Sequence, residues 1–146
     1  MTNEVVLYNK MKEKLPKSMR CTRVENNCEP GMFDVYMQNT SGSIFWLENK
    51  MCNVNEVLNL RPAQIIFAIE HVKRFKGKAA CLIMTRKKPH VYYVLNFNKF
   101  DDTLFNKILK EEMKLIDIIN YELETGVAII TLHKTMESVV DQIRHF

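Results

Sequence analysis

The residues with chemistry to offer are Asp34, the run Glu48-Asn49-Lys50, and Gln64. All lie inside GMFDVYMQNTSGSIFWLENKMCNVNEVLNLRPAQ, from Gly31 to Gln64. Two carboxylates set side by side repel unless a counter-charge is near. A hard cation such as Mg²⁺ or Mn²⁺ supplies it, held by one or two carboxylates with water and phosphate oxygens. Such an ion acidifies a water and offsets charge on a phosphate under attack. A lysine on the same face orients or deprotonates that water, or neutralises the phosphate. The chemistry these residue types suit is hydrolysis of a phosphodiester bond. The competing reading is a solvated edge strand that carries Asp, Glu and Lys by chance.

Whether these groups meet depends on a hairpin. Strand side chains alternate faces, so Glu48 and Lys50 point one way and Asn49 the other. Asn39-Thr40-Ser41-Gly42 permits a three-residue loop, Thr40 to Gly42, with Gly42 left-handed in a bulged turn. That register sets Asn39 opposite Ser43 and Asp34 opposite Glu48, with Cβ atoms roughly 5 Å apart. A two-residue Thr40-Ser41 turn would set Asp34 opposite Leu47 and send it to the other face. The glycine favours the first register. Farther on, Pro62 stands where a helix's first turn tolerates it and Gly77 where a helix should stop. Between them Ile65, Ile66, Ile69, Val72 and Phe75 predict a buried stripe. Gln64 then lies in the first turn, near the strand of Lys50, in reach of an attacking water or a phosphate oxygen. An exposed helix-start glutamine is the plain alternative.

Asp34, Glu48-Asn49-Lys50 and Gln64 resemble the PD-(D/E)XK signature of the restriction-endonuclease-like superfamily. The stretch from Arg23-Val24-Glu25 to Leu60-Arg61-Pro62-Ala63-Gln64 is similar in particular to small virus-type replication-repair nucleases (VRR-NUC), phage-encoded members among them, and to Holliday-junction resolvases. The similarity runs over residues 1 to about 95, with Phe33 where the family usually has proline. It implies a core of helix, three-stranded meander, helix and strand. It also implies that Asp34, Glu48 and the backbone carbonyl of Asn49 bind the metal, with Lys50 activating water and Gln64 in support. Glu4, on the first helix, and Glu25, in the Arg-x-Glu pattern with Arg23, are further metal candidates. Glu4 otherwise simply favours a positive helix N-terminus, and Glu25 is otherwise a turn carboxylate. Branched DNA is the implied substrate and a homodimer the implied assembly, because one catalytic face per chain needs a second copy to cut two strands symmetrically.

The remaining elements follow in order. Thr2 is a plausible cap for a helix reaching Leu15, before Pro16, with Val6, Leu7, Lys10, Met11, Lys14 and Leu15 at near-helical spacing. Met19 to Val24 predicts a strand, and Ala79 to Thr85 and His90 to Leu95 a neighbouring pair. One long helix is expected after Asp101-Asp102, carrying Leu104, Phe105, Ile108, Leu109, Leu115, Ile116 and Ile119. Val127 to Leu132 predicts a short strand, and Met136, Val139, Val140 and Ile143 a last helix. Basic side chains suited to a nucleic-acid backbone are Arg23, Arg61, Lys73, Arg74, Arg86, Lys87 and Lys88; each is otherwise an ordinary solvated cation.

Composition sets the outer limits. A chain of 146 residues, 47% apolar, is expected to form one nuclease domain, with residues 1–95 as core and 96–146 as a C-terminal extension packed on it. No apolar run approaches the roughly 20 residues that span a membrane, and nothing at the start reads as a signal peptide. Cys21, Cys28, Cys52 and Cys81 form no CxxC pair, and with His71 and His90 they match no usual zinc spacing. Reduced thiols and a cytoplasmic location, in a host if phage-encoded, are expected. A net charge of +4 suits a phosphate-rich partner. The expectation is therefore an α/β domain, a central mixed sheet flanked by helices, hydrolysing DNA with Mg²⁺ or Mn²⁺. Its alternatives are a catalytically silent DNA-binding module on the same scaffold, an exonuclease, and an RNA-cleaving relative.

Overall fold

The computed structural model describes residues 3–24, 31–39 and 41–146. Glu25, Cys28, Thr2 and Thr40 lie outside them, so the expectations placed on those four are not addressed. The chain forms a six-stranded sheet in simple sequential order: β1 (Arg20–Arg23), β2 (Val35–Gln38), β3 (Ile44–Met51), β4 (Ala79–Met84), β5 (Tyr92–Asn96) and β6 (Ile130–His133). Neighbours are antiparallel except β3 and β4, which run parallel. A parallel step needs a crossover, and α2 (Pro62–Ile69) provides it. The other helices are α1 (Asn3–Lys14), α3 (Asp102–Lys110), α4 (Leu115–Thr125) and α5 (Met136–Ile143). The mixed sheet flanked by helices agrees with the sequence reading. The C-terminal third enters the sheet itself, since β6 pairs with β5.

The sheet separates two apolar layers. Ala79, Cys81, Ile83 and Leu95 face residues of α2, α3 and α4; Val35, Phe45, Leu47 and Leu82 face Leu7 and Met11 of α1 and Val139 and Ile143 of α5. Strand β4 is buried along its whole length, as expected of a central strand covered on both sides. No helix among the described residues is long and apolar enough to cross a membrane.

The hairpin takes the glycine-closed register. Val35 lies opposite Leu47 and Gln38 opposite Ile44. The Asn39 N–H donates to the Ser43 carbonyl at 3.0 Å, and Gly42 has φ of 85°. Asn39 Oδ1 accepts from the Ser43 N–H, and its Nδ2 donates to the carbonyls of Arg144 and Phe146. A buried asparagine thus ties the turn to the end of α5.

Four expectations need correction. The single long helix is two, because residues 54–58 run alongside and take the backbone groups at the break. Leu58 N–H donates to the Met113 carbonyl, Leu115 N–H to Glu56 and Ile116 N–H to Val54. The buried stripe of α2 fails at two places: Ile66 and Phe75 are 46% and 63% exposed. After Ile69 the helix widens into a π-helical turn, Glu70–Arg74, whose extra residue shifts the phase of every later side chain. The left-handed residue beyond it is Lys76, with φ of 58°, and not Gly77. Finally, β5 begins at Tyr92 and β6 at Ile130, two and three residues later than the pattern predicts.

Candidate active site

Carrying the β2–β3 register one step past Val35–Leu47 sets Asp34 against Glu48. Counting outward from the hydrogen-bonded Asn39–Ser43 pair, this is a non-hydrogen-bonded position, where cross-strand side chains stand closest. Both point to the face covered by α2. Phe33, immediately before Asp34, is fully buried there against the rings of Phe67 and Phe97, at 5.2 and 5.8 Å between centroids. An aromatic anchor thus fixes the backbone that leads into Asp34. Gly31 lets the same lead-in lie against α2: a Cβ there would stand 2.2 Å from the backbone carbonyl of Ala63.

Glu48 is 4% exposed and held from three sides. Its Oε1 accepts the Asp34 N–H at 3.2 Å; its Oε2 accepts Gln64 Nε2 at 2.8 Å and lies 3.4 Å from Lys50 Nζ. Gln64 has no freedom to turn its amide around, because its Oε1 accepts the Arg61 N–H at 3.1 Å at the helix start. The helix terminus therefore fixes the oxygen end, and only the NH₂ end reaches the carboxylate. Gln64, 3% exposed, is a holder of Glu48 and not an exposed first-turn residue.

The two carboxyls share a buried space and interact directly. Burial pushes Asp34 up, while the neighbouring Glu48 carboxyl, the N–H groups of Asp34 and Asn49, and the charge of Arg23 pull it back. Glu48 is raised to about 7, first by burial and then by the Asp34 charge, with Lys50 opposing. Without a cation the pair thus keeps a proton close to neutral pH. Asp34 Oδ1 is buried with no hydrogen-bond partner among the described residues, an arrangement a buried oxygen rarely tolerates. Two hard oxygen donors with surplus negative charge and one orphaned lone pair suit Mg²⁺ or Mn²⁺. Among the described residues no third His, Cys, Asp or Glu joins them in a three-ligand cluster.

The other expected residues are spread around this centre. Glu4 lines a small cleft of about 120 Å³ with Lys50, Met51, Asn59 and Arg86. The loop carrying Arg86, Lys87 and Lys88 leaves β4 beside the end of β3, so it flanks Lys50. Arg86 pairs with Glu56 at 2.6 Å. Arg23 lies on β1, opposite Val35. Lys73 and Arg74 sit in the π-helical turn after α2, where Lys73 pairs with Asp102. Asn49 turns to the opposite face, as alternation requires, and is 1% exposed with neither amide atom hydrogen-bonded among the described residues.

Two contributors were missed in the sequence. Asn53 Oδ1 accepts the N–H groups of Arg86 and Lys87, at 2.8 and 3.0 Å, and so fixes the basic loop to the segment after β3. Only the parallel β3–β4 pairing reveals it. Cys81, opposite Glu48 in that pairing, is a fully buried thiol pushed up by burial and by the Glu48 charge. Its place on the site face follows from register alone.

No protein-family model and no curated protein matches the chain. Among solved structures, its fold is similar to that of Hjc, a Holliday junction resolvase from the archaeal hyperthermophile Archaeoglobus fulgidus. The two are 12% identical with a TM-score of 0.46, over 73% of this chain and 94% of that one.

Proposed function

We propose that the protein is a divalent-cation-dependent DNA endonuclease of the PD-(D/E)XK type, acting on branched DNA as a homodimer. The observation that carries this reading is the convergence on one buried carboxylate: Asp34 beside Glu48, with Lys50 and Gln64 both on Glu48 Oε2. Asp34, Glu48 and the Asn49 backbone carbonyl would hold Mg²⁺ or Mn²⁺. The bound ion supplies positive charge that acidifies a water and offsets charge on the phosphate. Gln64 keeps Glu48 turned toward Asp34, so the carboxylate pair is preorganised before substrate arrives. Lys50, tethered at the same oxygen, is placed to orient the attacking water, accept its proton, or steady the phosphate. Glu4, on the cleft shared with Lys50, is available as a further acidic group. The basic loop held by Asn53 would carry the DNA backbone past that cleft.

Cleavage of four-way junction, flap, single-stranded and duplex DNA, with Mg²⁺ and with chelator, tests the reading. Wild-type protein should cut the junction only with metal and sediment as a dimer. Asp34→Asn and Lys50→Ala should lose at least a hundredfold in rate with circular dichroism unchanged. Full, metal-dependent cutting by either variant would refute the assignment.

A further inference from the structure

Phe75 projects from the end of the π-helical turn Glu70–Arg74 that follows α2, 63% exposed, with the Arg74 guanidinium 5.3 Å from its ring centroid. A single exposed apolar residue means little by itself. Here Arg74 and Lys76 are exposed on either side, and the turn beneath is braced by backbone hydrogen bonds. The Phe75 N–H donates to the Glu70 carbonyl at 3.0 Å and the Gly77 N–H to His71 at 2.8 Å. Lys76 is held left-handed, uncommon for a residue with a side chain. Gly77 lies so close to the His71 ring that a Cβ would stand 2.2 Å from Nε2. His71 in turn lies parallel to Phe67, which packs on Phe33 next to Asp34. A solvent-facing aromatic with flanking cations is therefore mounted on a column of packed rings that reaches back to the residue before Asp34.

We propose that the Phe75 turn is a stacking platform for an unpaired base at a DNA branch point, with Arg74 and Lys76 receiving the adjoining phosphates. This rests on the endonuclease reading and deepens it by assigning the element that senses the branch. Aromatic–base stacking is indifferent to sequence, and a neighbouring guanidinium strengthens it. A fully paired duplex offers no free base face, so the contact discriminates structure. From Gln64 to Phe75 the chain advances roughly 16 Å at about 1.5 Å per residue. At about 3.4 Å per nucleotide along a strand, that places the sensed base about five steps from the phosphate at Glu48.

The test is binding of full-length protein, with Ca²⁺ replacing Mg²⁺, to a four-way junction carrying 2-aminopurine at the branch and to a paired duplex of equal length. Wild type should quench the probe. Phe75→Ala should abolish the quench and weaken junction binding roughly five- to a hundredfold, with duplex binding changed less than twofold. Phe75→Trp should restore both. If wild type binds the junction and Phe75→Ala matches it, the platform falls while the endonuclease reading stands. If Phe75→Ala changes the sedimented mass, the ring is a protein contact and the proposal is overturned. If wild type binds neither DNA, both proposals fall.

Discussion

Replacing Glu48 by glutamine should destroy metal binding and yet make the cation-free protein more resistant to unfolding above neutral pH. In the folded chain the Glu48 proton is held to about 7 against an ordinary value of 4.5. An acid whose folded pKa is raised contributes stability that is complete below 4.5 and is lost as pH rises through about 7. At ~1.4 kcal/mol per pH unit, that loss is on the order of 3 kcal/mol for a pair that titrates together. Glutamine at position 48 does not titrate, so the variant keeps only the pH dependence of Asp34, whose carboxyl burial also pushes up, and its stability should fall less over the same range. Losing the Lys50 partner adds an offset, but one that does not vary between pH 5 and 8. Urea unfolding in chelator at both ends of that range gives the difference between variant and wild type. It should move in favour of Glu48→Gln by a few kcal/mol as pH rises. Added Mn²⁺ at pH 8 should then stabilise wild type and leave the variant where it was. Parallel behaviour of the two proteins from pH 5 to 8 would refute the reasoning, since it would mean that Glu48 ionises in the fold as freely as in the open chain.

Gly31→Ala should lose roughly 2–4 kcal/mol in urea unfolding, because its Cβ would overlap Ala63 backbone at a φ of 80°. Phe33→Ala should lose about 3–5 kcal/mol, since it empties a site enclosed by Phe67 and Phe97; denaturant titration reads it directly. Asn53→Ala removes the acceptor for two loop N–H groups, and faster hydrogen exchange at Arg86 and Lys87 should follow, with weaker DNA binding.

How far the sequence revealed this arrangement depended on whether local residues decided the geometry. The Asp34–Glu48 register was legible because Gly42 and Asn39 set it within the turn. Lys50 followed by alternation, and Gln64 by its place after Pro62. The split between α3 and α4 was not legible: Glu111-Glu112-Met113-Lys114 has no glycine or proline, and the break is made by the strand-like segment at Val57 bridging to Lys114. Phe75 misled for a related reason. A strict helical period places it inside, and nothing in Glu70-His71-Val72-Lys73-Arg74 announces a wider turn. The role of Asn53 depends on β3 and β4 lying side by side, a contact between segments more than thirty residues apart.

Asn39 has a consequence of its own. One end of its amide shapes the hairpin tip while the other grips two carbonyls more than a hundred residues downstream, where the Phe146 ring also meets that of Phe45 edge to face, 5.1 Å between centroids. The hairpin that sets the spacing of the two carboxylates is thereby latched to a segment distant in sequence. A change as distant as deleting residues 144–146 should let the tip breathe and slacken the hold on a cation without touching any group that binds it.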